Sequence, residues 1–151
     1  NKKKKLKLIS KIHYKTPPDG SYFFGFHDVT PWNKNNNYIA LHRLFRETNS
    51  LPGPNDLADI VTVNLLNKKI TKISETNSWN YQQGSRLMWF PHIEDTVIFN
   101  FRDNHNRFSS KVVNLNGDVV KKFDFTINSL HPNQYIHRNQ LSKGIQKNRL
   151  V

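Results

Sequence analysis

The segment from Trp79 to Arg86 combines amide and aromatic side chains within eight residues. Its three amide side chains offer both hydrogen-bond donors and acceptors, and its two aromatic rings offer flat apolar faces. Gly84 allows the backbone to approach another group closely. This combination suits the hydroxyl groups and C–H faces of a sugar ring, although it equally favours a segment that only ties one structural unit to the next. The candidate ligand-binding residues are Trp79, Gln82, Gln83 and Arg86.

A second candidate site lies at the end of the aromatic segment 22–26, where a histidine and an aspartate follow as His27 and Asp28. A carboxylate there has the chemistry of a general base or nucleophile toward a glycosidic bond, provided that a second carboxylate lies roughly 5 to 10 Å away. The sequence identifies no such second carboxylate. The favoured alternative is that Asp28 accepts backbone hydrogen bonds in the turn before Thr30 and that His27 is a half-buried strand end. Whether the protein is an enzyme stays open.

The sequence lacks several residue types and motifs that common metal and cofactor sites require. There is no cysteine, which excludes disulfides, thiolate zinc sites and iron–sulfur clusters. None of the seven histidines lies two or four residues from another, the spacings typical of a metal-binding pair. No phosphate-binding loop, dinucleotide fingerprint or Gly-x-Ser-x-Gly elbow occurs. We therefore expect neither a metal ion nor a cofactor.

Two arginines, Arg102 and Arg107, flank a polar turn rich in Asn and Asp. Their guanidinium groups have the chemistry to clamp a phosphate or a carboxylate between them. The favoured alternative is a solvated turn in which Asp103 forms a local ion pair of little energetic value.

The net charge of +12 comes almost entirely from the two ends of the chain. Seven lysines precede the first acid, Asp19, and four basic residues follow the last acid, Asp124. The residues between them hold the other 12 of 23 basic residues and all 11 acids, a net charge of only +1. Because no basic groove runs through this middle part, we expect no specific nucleic-acid partner, and at most weak, salt-dependent binding of the tails to polyphosphate or an anionic surface.

Short apolar segments rich in Val, Ile, Thr and aromatic residues, bounded by Asn, Asp, Gly and Pro, predict an all-β protein. The predicted strands are 22–26, 38–43, 60–65, 69–74, 86–90, 96–102, 110–115 and 119–125. Their short connections favour antiparallel hairpins, except for the loop 47–59, which contains Pro52-Gly53-Pro54. The predicted core comprises Trp32, Ile39, Leu41, Val61, Val63, Leu87, Trp89, Val97, Phe99, Val113 and Leu115.

The predicted strands recur as a repeated unit. The triplet Val-Asn-Leu occurs at 63–65 and again at 113–115, and the prolines that open the two copies, Pro31 and Pro91, lie 60 residues apart. A third copy begins near Leu130. A recurring four-stranded antiparallel unit of roughly 40 to 50 residues is typical of a β-propeller blade. The predicted fold is an incomplete β-propeller with about two blades and the start of a third.

The order of these elements resembles the TolB-type, WD-like propeller repeat, in which a polar turn leads to an apolar strand and then to an Asp-Leu and Gly turn. More narrowly, the sequences of Tyr22–Trp32 and Trp79–Gly84 are similar to bacterial propeller proteins of surface-polysaccharide gene neighbourhoods. The resemblance covers Tyr22 to Ile136. It implies a carbohydrate-associated propeller that binds or processes a polysaccharide, and the alternative is a non-catalytic scaffold that binds another protein.

We divide the chain into a basic N-terminal tail with a lead-in strand at 1–18, a partial propeller at 19–133 and a basic, unpatterned segment at 134–151. A propeller removes its sheet edges only by closing, which usually requires at least about four blades. We therefore expect either the N-terminal fragment of a longer propeller or self-association through open blade edges. Without an apolar stretch of about 18 residues or a signal-peptide pattern, a cytoplasmic location with no membrane span is expected.

Any binding to nucleic acid is expected to be non-specific and to depend on the tails. The seven-lysine tail should bind DNA at low salt and release it by about 0.2 M, because each neutralised phosphate adds nearly one unit to the salt slope. The measurement is a salt titration on unrelated DNA sequences, with and without residues 1–15. Tight, sequence-dependent binding by the shortened protein would contradict this expectation.

Overall fold

The computed structural model describes residues 12–45, 50–131 and 135–138, so most of both basic tails lies outside the described residues. The described residues form ten β-strands and no helix. The prediction of an all-β protein is therefore confirmed. Within these residues there is accordingly no helix of the length and hydropathy needed to cross a membrane.

Two antiparallel four-stranded sheets follow one another along the chain, each with its strands in sequence order. The first sheet contains β1 (Ser21–Phe23), β2 (Tyr38–Leu44), β3 (Ala58–Asn64) and β4 (Ile70–Thr76). The second sheet contains β5 (Met88–Trp89), β6 (Thr96–Arg102), β7 (Phe108–Asn114) and β8 (Val119–Phe123). A two-stranded antiparallel ribbon follows, formed by β9 (Ile127–His131) and β10 (Tyr135–Arg138).

Three of the predicted strands are longer than the observed ones, and one of them, 119–125, ends at Phe123. β1 ends at Phe23 rather than at residue 26, because Gly25 has φ = 122° and leaves the extended conformation. β5 begins at Met88 rather than at residue 86, because Arg86 has φ = 58° and cannot continue a strand. The ribbon β9–β10 was not among the predicted strands.

The same register recurs in both sheets. Tyr38 at the start of β2 lies opposite Asn64 at the end of β3, and Thr96 at the start of β6 lies opposite Asn114 at the end of β7. Both asparagines belong to the Val-Asn-Leu triplets of the sequence. The sequence repeat therefore corresponds to a structural repeat of four strands.

The prolines that align the two copies in the sequence, Pro31 and Pro91, are not structurally equivalent. Trp32 and Trp89 each pair with the second residue of the strand that follows, so it is the tryptophans that correspond. Trp32 precedes the first residue of β2 by six positions, whereas Trp89 precedes that of β6 by seven. Pro31 precedes its tryptophan by one position, whereas Pro91 follows its own by two, so the prolines occupy different places in the two copies.

The two sheets pack face to face through a shared core, which consists of Ala40, Ile60, Ile73, Leu87, Val97, Phe99 and Val113. The opposite face of each sheet is buried as well. That face of the first sheet packs against Tyr14 and Trp32, and that of the second packs against Ile127 and Leu130.

Eight of the predicted core residues are buried, whereas Trp32, Trp89 and Leu115 are partly exposed. The prediction missed Ile98 and Val112, which are fully buried. Alternation assigns only one face of each strand to the core. These sheets are buried on both faces, so residues of both parities along a strand belong to the core.

Equivalent faces of the two sheets each pack against the unit that follows in the chain. Ala40 in β2 packs toward the second sheet, and the equivalent residue in β6, Ile98, packs toward Ile127 of the ribbon. The second sheet thus packs against the first sheet with one face and against the ribbon with the other. The described strands do not close into a ring, and β8 lies at a sheet edge.

His42 in β2 holds the connection between the two sheets, residues 77–87, in place. The Ser85 amide donates a hydrogen bond to His42 Nε2 at 3.0 Å, and the Ser85 hydroxyl lies 2.8 Å from the same nitrogen. Gly84 has φ = 60° and lies against the imidazole, so that a Cβ at this position would overlap the ring. Only glycine fits here without strain.

Replacing Gly84 by alanine is expected to lower the free energy of unfolding by roughly 2 to 4 kcal/mol, because left-handed strain and overpacking add together. Gly53→Ala is the matched control, since a Cβ there has its nearest neighbour at an ordinary 3.5 Å. That variant should stay within about 1 kcal/mol of the wild type. Urea unfolding measures both, and equal stability of the two variants would show that Gly84 is not so confined.

Candidate functional site

A cleft of about 230 Å³ opens where β4 and β6 end and β7 begins. The Thr76 hydroxyl donates to the Asn100 carbonyl at 2.6 Å, and the Arg102 amide donates to Asn77 Oδ1 at 3.2 Å, which fixes β4 beside β6. The lining is mostly polar and contains no carboxylate. It consists of Ser78, Trp79, Asn80, Gln83, Gly84, Arg86, Asn100, Arg102, Phe108 and Thr126.

The turn at 80–84 decides which glutamine reaches the cleft. Asn80 Oδ1 accepts hydrogen bonds from the amides of Gln82 at 3.0 Å and Gln83 at 2.7 Å, a side-chain turn that asparagine favours. The Gly84 amide then donates to the Asn80 carbonyl at 2.9 Å and closes the turn. Gln83 lines the cleft as a result, whereas Gln82 is exposed and lies outside the lining.

Trp79 lines the cleft but is only 8% exposed, because its ring packs against Leu44 and Ala58. Its indole N–H donates to the Asp56 carbonyl at 2.8 Å, and its ring meets Tyr81 edge to face at 5.3 Å. Most of the indole face therefore contributes to the core. The residue ties the connection 77–87 to the β2–β3 connection and presents little flat surface to a ligand.

Arg86 is 4% exposed and joins three separate segments. Its two terminal nitrogens donate to the Asp28 carboxylate at 3.1 and 2.8 Å, and its Nε donates to the Asn128 carbonyl at 2.6 Å. A buried guanidinium requires such partners because its desolvation is otherwise uncompensated. Arg86 thus binds the β1–β2 loop and β9 to the connection 77–87, and its charge is already neutralised.

Asp28 has little capacity for acid–base catalysis in this arrangement. The hydrogen bonds from Arg86 are the main cause that lowers the pKa of Asp28, so the carboxylate stays ionised and both oxygens are occupied. His27 is exposed, and its ring lies 4.0 Å from that of Phe26. Neither residue lines the cleft. The structure therefore brings together Trp79, Gln83 and Arg86 of the sequence-predicted residues, with Asp28 behind Arg86.

The two arginines of the β6–β7 hairpin have different surroundings. Arg107 forms an ion pair with Asp103 at 2.8 Å and is largely exposed. Arg102 lines the cleft and places its guanidinium carbon 3.8 Å from the centre of the Phe108 ring. Its Nε is buried and has no hydrogen-bond partner in the described structure. The hairpin therefore separates the two charges instead of joining them into one clamp.

A serine and a histidine 43 positions apart in the chain meet as Ser85 and His42, with 2.8 Å between Oγ and Nε2. Both are fully buried, and His42 Nδ1 faces the Phe23 carbonyl at 3.3 Å instead of a carboxylate. Burial lowers the pKa of His42 to about 4, which the hydrogen bond to the Phe23 carbonyl partly opposes. A neutral, inaccessible pair of this kind is structural.

Asn100 and Thr126 belong to the lining although the sequence reading did not select them. The amide of Asn100 accepts from the Ile127 N–H at 2.8 Å and donates to the Ile127 carbonyl at 2.9 Å, so it fixes β9 to β6. The sequence does contain a signal for Asn100, because an amide between two phenylalanines of a predicted strand is unusual. A buried amide there needs partners of its own.

Within 12–45, 50–131 and 135–138, no three His, Cys, Asp or Glu side chains gather in a way that would hold a metal ion. Comparison of the chain with models of protein families, with curated proteins and with solved structures finds no match in any of the three. The site is therefore interpreted from its own chemistry.

Acid is expected to destabilise the protein through His42. Its pKa is about 4 in the folded state, against 6.5 for the free side chain. The unfolded chain therefore binds more protons between these values. Keeping His42 neutral therefore contributes roughly 3 kcal/mol to the free energy of unfolding. This contribution is complete above pH 6.5 and is lost as pH falls to about 4.

Urea unfolding between pH 7.5 and 4.5 measures this dependence. His105→Gln changes an exposed histidine and serves as the control, so it should keep the wild-type slope, whereas His42→Gln should flatten it. A proton NMR titration provides a second readout that needs no variant to fold. A ring signal of His42 that titrates near pH 6.5 in the folded protein would contradict its burial as a neutral group.

Proposed function

We propose that this protein binds carbohydrate and that the cleft holds one sugar residue. The observation that carries the proposal is a set of polar groups around the cleft that the protein itself leaves without partners. The side-chain amide of Gln83, Nδ2 of Asn80 and the hydroxyls of Ser78 and Thr126 make no hydrogen bond to another described residue. They offer both donors and acceptors, which is what a polyhydroxylated ring requires.

The size of the cleft supports a single small residue as the ligand. Its volume of about 230 Å³ is below the ~300 to 1,000 Å³ of pockets that enclose drug-sized molecules. A ligand of this kind is held by several directional hydrogen bonds more than by apolar area. This agrees with a lining in which only Trp79 and Phe108 are aromatic.

Binding accounts for this site better than cleavage of a glycosidic bond. Hydrolysis requires two carboxyl groups that flank the bond, and the lining of the cleft contains none. Asp28, the carboxylate that contacts the cleft residue Arg86, has both oxygens bound by that arginine. We therefore propose that the protein is a carbohydrate-binding module. Its role in a polysaccharide pathway would be to recognise the polysaccharide.

The proposal includes a finer description of the architecture, in which the two sheets are consecutive blades of a TolB-type β-propeller. It is supported by the repeated register, by the use of equivalent faces toward successive units, and by a ribbon that begins a third unit. The cleft lies at the connections between units, where propellers have their most variable surface loops.

Gln83→Ala is expected to weaken glycan binding about tenfold or more, since it removes the amide with the most unused hydrogen-bonding capacity in the cleft. Gln82→Ala is the matched control, because this neighbouring glutamine is exposed outside the lining. A glycan array followed by titration calorimetry on the best ligand measures both variants and the wild type.

Thermal unfolding of the two variants shows whether the fold is retained. The proposal requires that Gln82→Ala binds like the wild type and Gln83→Ala does not. An array without any bound glycan, or equal binding by all three proteins, would reject the cleft as a carbohydrate site.

A further inference from the structure

Resting on the proposed carbohydrate site, we infer that the sugar bound in this cleft carries an anionic group and that this group pairs with Arg102. The inference follows from the difference between the two guanidinium groups that line the cleft. The charge of Arg86 is neutralised by Asp28, whereas the charge of Arg102 has no carboxylate partner in the described structure.

Arg86 cannot supply the charge for an anionic ligand. Its two terminal nitrogens are bound to Asp28 and its Nε to the Asn128 carbonyl. The bidentate ion pair with Asp28 neutralises the guanidinium charge, so a second anion would gain little from it. Arg86 therefore acts as a positioning residue for the cleft wall.

The charge of Arg102, in contrast, is not paired within the described structure. Arg102 forms no ion pair with a carboxylate in the described structure, and one terminal nitrogen makes only a long contact of 3.4 Å to Asn106 Oδ1. Its Nε is buried without a partner. A cation with an unused donor in a partly dehydrated cleft is unfavourable until an anion meets it, and a guanidinium meets carboxylate or phosphate oxygens through paired N–H groups.

The position of Arg102 is set before any ligand arrives. The guanidinium lies 3.8 Å from the centre of the Phe108 ring, a stacking contact that limits its rotamers. The backbone amide of Arg102 is bound to Asn77 Oδ1. Little conformational entropy remains to be lost on binding, which favours selective recognition.

Nothing in the lining opposes a negative charge, because none of its side chains is a carboxylate. The partner-free amide and hydroxyl groups near Gln83 would meet the ring hydroxyls while Arg102 meets the acidic group. The ligand class is thus an acidic monosaccharide unit, and its anion is either the carboxylate of a sugar acid or a phosphate ester.

The test uses three sugars that differ only in the group at carbon 6: glucuronic acid, glucose and glucose 6-phosphate. Each is titrated into the full chain, and the affinity is measured from chemical-shift changes in amide NMR spectra. The wild type should bind glucuronic acid at least about tenfold more tightly than glucose, as expected for one charge-assisted hydrogen-bonded pair. Glucose 6-phosphate distinguishes the two sources of charge. Tighter binding than glucuronic acid would assign the site to phosphate esters, and weaker binding would assign it to sugar acids.

Arg102→Gln should abolish the preference for the acidic sugars over glucose. Arg107→Gln is the matched control, because Arg107 lies in the same hairpin but is paired with Asp103, and it should keep the preference. Equal binding of all three sugars by the wild type would overturn the inference and leave the proposed function intact. A preference that survives in Arg102→Gln would also overturn it. No binding of any of the three sugars, together with a silent glycan array, would reject the proposed function itself.

Discussion

The central strands of both sheets are buried on both faces, and this double burial governs how the other elements are arranged. Ala40 and Ile60 face the second sheet, while their neighbours Ile39 and Val61 face the other way and are equally buried. A sheet of this kind cannot be left with one face in water, because exposing a full apolar face forfeits the main favourable term in folding. Units must therefore stack in series, each covering the one before it.

This stacking dictates where a cleft can form. The chain leaves the first sheet at β4, its outer edge, and enters the second at β5, so the connection 77–87 has to cross the junction between the two sheets. A crossing segment carries backbone polar groups into a region of low water content, and each needs a partner. His42 and Asn80 supply several of them through side-chain hydrogen bonds. The polar wall of the cleft is the consequence.

Arg86 shows how a buried charge is accommodated at this junction. Its left-handed backbone conformation ends the connection and turns the side chain away from the strand that follows. The side chain then reaches Asp28 and Asn128, which lie 58 and 42 positions away in the sequence. Asp28 is 47% exposed, so water continues to screen this pair, and its value lies more in fixing geometry than in stability. Arg102, held by an aromatic ring instead of a carboxylate, keeps its charge available.

Local sequence patterns predict the all-β class, most strand positions, the four-stranded repeat and the segment that forms one wall of the cleft. These features depend on local alternation, turn residues and side-chain type, which are readable within a few neighbouring positions. The sequence also placed Trp79, Gln83 and Arg86 in one candidate group, although it did not separate Gln83 from Gln82. That distinction depends on the turn closed by Asn80.

Which polar groups already have partners becomes apparent only in the folded protein. Asp28 and Arg86 were separate candidates in the sequence, and they neutralise each other in space. A clamp formed by Arg102 and Arg107 was the less favoured interpretation of the sequence. In the structure Arg107 pairs with Asp103 and Arg102 lines the cleft. The reason is physical: hydrogen bonding and charge neutralisation act over a few ångströms between residues that are far apart in the chain. Their outcome is fixed only when the sheets have stacked.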